Sequence, residues 1–267
     1  MRILRFTPNP GSALANELGR DPLFGVLEDD LKTISVVNGD PLFSGVTKSG
    51  KFATMDEVRL LAPVLPRSKV VCVGKNYSEH AKEMGGEVPA EPIIFLKPNT
   101  SVSGPGDVIN WPWMSERVDH EAELAIVIGR ICKDVPRERV AEVIFGYTIA
   151  NDVTARDLQS RDGQWTRAKG FDTFCPIGPW IDTDFIPGNQ QITCMVNGEI
   201  KQSATLDQMI FNVADIIHFI SSVMTLLPGD LILTGTPAGI GPIPEKGTIT
   251  CAISGLGELT NKLSARG

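Results

Sequence analysis

Apolar residues in this chain fall in short runs, either alternating with polar ones or unbroken over a few positions, more than in long helical stripes. Arg2–Phe6, Leu23–Leu27 and Ile34–Val37 read as strands parted by Gly, Asp, Asn and Pro. Asp56–Leu61 predicts a short helical turn, and Leu61-Ala62-Pro63-Val64-Leu65-Pro66 a connector. Beyond it, Lys69–Gly74, Glu91–Leu96, Val118–Gly129, Ile144–Ala150, Thr250–Ile253 and Leu259–Leu263 carry strand patterns. Asn197-Gly198, between Ile192–Val196 and Glu199–Gln202, is a hairpin signal. Helical patterning is confined to Asn76–Met84, where Asn76 and Glu79 have capping-box spacing, to Pro136–Ala141 and to Met209–Leu226. Strands outnumber helices and do not alternate with them one for one. That predicts a mixed, mainly antiparallel, β-rich α+β fold and argues against a doubly wound sheet.

One segment breaks the ordinary pattern. From Leu124 to Gly129 both faces are apolar, as in a strand covered on both sides, yet the same run begins Val118-Asp119-His120-Glu121-Ala122-Glu123. Alternation along a strand puts Glu121 and Glu123 on one face. Two like charges buried side by side are costly unless something positive lies between them. A divalent cation answers that need. Asp152, at the end of the apolar Ile144–Ala150 run, is a third carboxylate without a local partner; a turn cap is its other reading. Three oxygen ligands suit Mg2+, Mn2+ or Ca2+, disfavour zinc, and leave about three positions open on an octahedral ion.

Other segments carry candidate chemistry. On the Asn76–Met84 helix, His80 and Glu83 stand three apart and share a face; locally they also fit a solvated helix with an ordinary surface histidine. Gly85-Gly86 behind them suits a segment able to move, such as a lid. Residues 164–180 are dense in Gly, Pro and aromatics, the mark of a functional loop. The Gly-rich run after Leu231–Leu233 lacks the Gly-Lys-Ser/Thr ending of a phosphate-binding loop, so its glycines serve close backbone approach beside a small ligand.

Composition narrows the classes. The 267 residues are 42% hydrophobic and 21% charged, which suits one large domain, or one domain with a small appendage. The net charge of −7 and the lack of a basic run argue against nucleic acid or an anionic membrane as partner. The five cysteines, with no Cys-x-x-Cys spacing, are expected to be reduced and mostly buried in a cytoplasmic protein. Met209–Leu227 is too polar for a membrane span, and the N-terminus lacks a signal-peptide core.

Four motifs then occur in order: Glu121-x-Glu123 on a strand; Asp152 in Asn-Asp-Val-Thr-Ala-Arg-Asp; Lys169 before Gly-Phe-Asp-Thr-Phe-Cys-Pro; and Gly-Asp-x-Ile-x-Thr-Gly-Thr-Pro-x-Gly-Ile-Gly from Gly229. Together they resemble the fumarylacetoacetate hydrolase family, in its smaller bacterial-type members, across roughly residues 69–263. The resemblance implies a β-sandwich roll at residues 63–267, a small N-terminal β domain at 1–62, and a homodimer. It implies Mg2+ or Mn2+, with Ca2+ a possible occupant in crystals, held by Glu121, Glu123 and Asp152. Lys169 matches the family's active-site lysine, Thr236 the threonine that contacts the substrate carboxylate, and His80 and Glu83 the pair on a lid helix. His120 and His218 match no catalytic position. The expected activity is metal-dependent C–C cleavage of a small 2-oxo acid through an enolate: oxaloacetate decarboxylation, acylpyruvate hydrolysis, or both. Isomerisation or decarboxylation of a hydroxymuconate-type diacid, of the 2-hydroxyhepta-2,4-diene-1,7-dioate kind, is the alternative within enzymes. An inactive metal-binding scaffold is the alternative outside them.

Overall fold

β-Branched and aliphatic side chains fill both faces of Ala122–Ile128, and that strand lies inside the largest sheet of the computed structural model, which describes residues 1–85 and 87–267. Among the described residues the strands form three open sheets of twelve, five and three strands. The spine of the large sheet runs Lys48–Thr54, Thr33–Val37, Leu23–Leu27, Arg2–Pro8, Cys175–Asp182, Ile144–Asn151, Ala122–Ile128, Leu231–Leu233, Val70–Gly74, Ile93–Lys97. Neighbours on this spine are antiparallel except Leu231–Leu233 with Val70–Gly74. The fold is therefore the expected strand-rich, mixed α+β type.

Two cores flank the central strand. Leu124, Ile126 and Ile128 pack with Ile192, Cys194, Ile249 and Cys251 of the five-stranded sheet and with Ile216, Ile217 and Ile220 of the Val213–Val223 helix. Ala125 and Val127 face the opposite layer with Val70, Cys72, Leu231 and Leu233. Residues near the N-terminus have a separate core built on Leu4, Phe6, Leu27, Ile34 and Val36. Their strands nonetheless join the large sheet, because Arg2 and Ile3 pair with Asp182 and Ile181. No helix among the described residues is long and apolar enough to cross a membrane.

Several local expectations change. The Val118–Gly129 run is two strands, Val118–His120 in the three-stranded sheet and Ala122–Ile128 in the large one, with Glu121 at the crossing. Of Asp56–Leu61 only Asp56 and Glu57 are helical, in the 3-10 turn Met55–Glu57 closed by the Thr54–Glu57 capping box; Val58–Leu61 is instead a strand paired with Arg5–Pro8. Pro136–Ala141 becomes a 3-10 helix at Arg137–Glu142, and the long helix shortens to Val213–Val223 because Asn212 caps it. Asn76 is no helix cap. Helix Ser78–Glu83 starts from Tyr77, and the Asn76 amide binds Phe211 and Thr234 backbone instead. Cys175–Asp182 is a strand inside the loop-rich stretch, disguised by Pro176, Gly178 and Pro179. Of the suggested Gly85-Gly86 hinge, Gly86 lies outside the described residues.

Candidate metal centre and active site

Strand register assembles the carboxylates. Ala122 pairs with Asn151 and Glu123 with Ala150, so Asp152, one residue past its strand, arrives beside Glu121. The Asp152 N–H donates to the Glu121 carbonyl at 2.8 Å. The Glu121, Glu123 and Asp152 side chains are buried, and one oxygen from each lies within 4.8 Å of the others.

Two buried cations, Lys97 and Lys169, and the part-buried Arg156 meet these acids. Lys169, ending the short Thr166–Lys169 helix, places Nζ 2.7 Å from both Glu121 Oε2 and Asp152 Oδ2. Lys97, ending the Ile93–Lys97 strand, donates to Asp152 Oδ1 at 2.6 Å and to the Val153 carbonyl at 3.3 Å. Arg156, opening the Arg156–Asp162 helix, donates to Glu121 Oε1, to Asp119 Oδ2 at 3.0 Å and to Gln159 Oε1 at 2.6 Å. Asp119 is thus an anchor for Arg156 and Arg117, outside the trio.

The balance is uneven. Burial alone would raise the Glu121 carboxyl, but Lys169 and Arg156 outweigh it and hold it below the ordinary range. Glu123 goes the other way. Burial raises it well above the ordinary range, and Asp152 and Glu121 add to the effect. Its Oε2 accepts only the Gly235 N–H, at 2.6 Å, and among the described residues it forms no ion pair. Burial opposes the charge on Lys169, yet Asp152 and Glu121 raise its pKa. A divalent cation therefore fits: the donors are all oxygen, and the acid with least compensation would gain a positive neighbour.

Glu121, Glu123, Asp152, Arg156 and Lys169 face a small cleft, partly open to solvent, with Lys75, His80, Phe95, Trp165 and Thr236 also on its wall. His80 is buried, not a surface histidine, and its Nδ1 is 3.1 Å from Glu83 Oε2. Glu83 is held in turn by the Gly239 N–H, 3.1 Å from Oε1. A carboxylate at Glu83 can only accept, so His80 Nδ1 is the donor in this contact, and in the neutral ring Nε2 is then the acceptor. Thr236 lines the cleft, but its hydroxyl bonds the Ala122 carbonyl at 2.8 Å. Lys97 and Arg156 were not singled out by sequence reasoning. The available signals were a lysine closing an apolar strand before Pro98, and an arginine four residues after Asp152.

A model of the fumarylacetoacetate (FAA) hydrolase C-terminal region matches residues 69–264. The chain belongs to the fumarylacetoacetate hydrolase family. A second model, of the N-terminal region of Rv2993c-like proteins, matches residues 1–63. Protein Rv2993c of Mycobacterium tuberculosis is 55% identical over 100% of this chain and 99% of its own length. The mitochondrial oxaloacetate decarboxylase of Dictyostelium discoideum is 47% identical over 70% of this chain and 89% of its own. The mitochondrial oxaloacetate tautomerase of Rattus norvegicus is 45% identical over 78% and 70%. Among solved structures of the family, a 2-hydroxyhepta-2,4-diene-1,7-dioate isomerase from Mycobacterium marinum superposes with a TM-score of 0.88 at 47% identity, covering 100% of this chain and 99% of that one. A fumarylpyruvate hydrolase from Pseudomonas aeruginosa, solved with Mn2+ and pyruvate, gives 0.72 at 34% identity over 81% and 94%. Divalent metal thus occurs in a fumarylacetoacetate hydrolase family member that this chain resembles, and the buried acidic trio here is suited to it.

Proposed function

We propose that the protein is a divalent-metal-dependent enzyme that breaks the C3–C4 bond of a small 2-oxo acid, by decarboxylating oxaloacetate, hydrolysing an acylpyruvate, or both. The observation that carries this reading is one cleft wall bearing the Glu121–Glu123–Asp152 trio, Lys169 and His80 together. Mg2+ or Mn2+ on the three carboxylates would supply Lewis acidity at the 2-oxo group. Lys169, buried and cationic, donates to the oxygen on which negative charge develops as C3–C4 breaks. Loss of one such donor costs about 10²–10³ in rate. His80 Nε2, with Nδ1 oriented by Glu83, takes a proton from the water that attacks a C4 ketone. When C4 is a carboxylate, CO2 leaves without a nucleophile and that base is not needed.

A second reading has support from the same pair. Without water, His80 as base and Lys169 as acid suffice to move a proton between C3 and the C2 oxygen, which is isomerisation or tautomerisation. The likeness to proteins named for those reactions supports it. An inactive scaffold fits less well, because each position of the constellation holds a chemically competent side chain. The test gives purified protein Mg2+ or Mn2+ with oxaloacetate, acetylpyruvate and a hydroxymuconate-type diacid, and follows each enol absorbance. Metal-dependent turnover of the first two is expected; turnover of none would overturn the enzymatic reading.

A further inference from the structure

Beyond the carboxylates the cleft is walled by aromatic rings. Lys169 Nζ, bonded to Glu121 and Asp152, lies 5.2 Å from the centroid of the Phe95 ring. Phe95 in turn meets Trp165 edge-on, with ring centroids 5.1 Å apart and an interplanar angle of 78°. The row leading away from the acids is therefore Lys169, Phe95, Trp165, and all three line the cleft. Phe95 belongs to the Ile93–Lys97 strand, which Lys97 ties to Asp152. Trp165 immediately precedes the Thr166–Lys169 helix, and its carbonyl accepts the Lys169 N–H at 2.9 Å. One helical turn thus sets the spacing between the indole and the lysine.

The half-buried indole is also held from behind. Its six-membered ring lies against Gly74, the last residue of the Val70–Gly74 strand. A Cβ added at Gly74 would sit 2.8 Å from Trp165 Cζ3 and 3.0 Å from Cη2, so the ring rests where only glycine leaves it room. The free space inside the cleft is about 30 Å3, enough for about two water molecules. A small acid therefore already fills it, and every further carbon must displace part of the wall. With the 2-oxo end at the acids and Lys169, the chain beyond C4 runs outward between His80 and the Phe95–Trp165 wall.

We propose that Trp165 is a specificity-determining residue: its indole, backed by Gly74 and braced by Phe95, closes the outer end of the cleft and restricts the enzyme to short 2-oxo acids such as oxaloacetate and acetylpyruvate, against longer diacids. This rests on the metal-dependent function proposed above. The test measures kcat/KM with Mn2+ for oxaloacetate, acetylpyruvate and 2-hydroxyhepta-2,4-diene-1,7-dioate in the wild type, Trp165→Ala and Trp165→Phe. In the wild type at least one short acid should exceed the seven-carbon diacid by about 100-fold or more. Trp165→Ala should raise kcat/KM for the seven-carbon diacid by about tenfold or more in absolute terms, while the values for the short acids fall. Trp165→Phe should lie between the two. An absolute gain on the longer substrate is the decisive reading, because a wall residue that only props the fold would lower every value together. Parallel losses on all three substrates, or a narrower ratio without that gain, overturn the inference and leave the proposed chemistry standing. Wild-type turnover of the seven-carbon diacid at or above that of the short acids overturns it too, and this comparison decides even if the alanine variant does not fold. A wild type that turns over none of the three overturns both the inference and the proposed function.

Discussion

Replacing Lys97 by methionine isolates what holds Asp152 in place. The lysine is fully enclosed, at 0% side-chain exposure against 1% for Asp152, so solvent cannot stand in for the lost charge. Lys97→Met removes the 2.6 Å bond to Asp152 Oδ1 and the 3.3 Å bond to the Val153 carbonyl. Taking one partner from a buried ion pair costs about 3–5 kcal/mol. Lys169 still holds Asp152 Oδ2, which argues for the lower end, about 3 kcal/mol. For a chain of this size that is a fall of about 5–10 °C in Tm. The assay is thermal unfolding in EDTA and again in excess Mn2+. The deficit should narrow with Mn2+, since a cation at the trio gives Asp152 a new positive neighbour. In a double-mutant cycle, Lys97→Met with Asp152→Asn should fall short of additivity by at least about 1 kcal/mol. Additive costs, or a Tm within about 2 °C of wild type, would refute the claim that this pair is a structural unit.

Three further outcomes are expected. Glu123→Ala should abolish Mn2+ binding and activity together, and retained affinity would remove Glu123 from the ligand set. In the wild type, Glu123 is held above its ordinary range, so cation binding must expel its proton; Mn2+ affinity should rise with pH, and calorimetry in buffers of different ionisation enthalpy should register proton release. The linked stability has the opposite sign: without metal, the raised carboxyl stabilises the folded state most below its unfolded pKa, and that share is lost as pH rises toward the folded one. Binding that is flat with pH would refute the raised acid. His80→Ala should depress acylpyruvate hydrolysis much more than oxaloacetate decarboxylation, measured as kcat for each; equal losses would show that His80 does not activate water.

The sequence by itself determined the chemistry on offer and the kind of fold. Unbroken apolar runs of strand length require burial on two faces, and that held for Ala122–Ile128 and its neighbours. Glu121, Glu123 and Asp152 stood out because carboxylates beside such runs are electrostatically expensive. Their clustering in one buried place is the consequence. Tertiary structure alone decided how their charge is distributed. Lys97, Lys169 and Arg156 come from three separate elements, and no local pattern says which acid each will meet. Patterning also saw one strand where the chain changes sheets at Glu121, since alternation records which positions are buried and not which partner strand buries them. The Asn76 amide was drawn from a helix cap to distant backbone, and Gln202 from an ordinary hairpin to the acid strand, for the same reason. A side-chain amide gives no sequence sign of its partner, because hydrogen-bond geometry is settled only once remote segments are packed together.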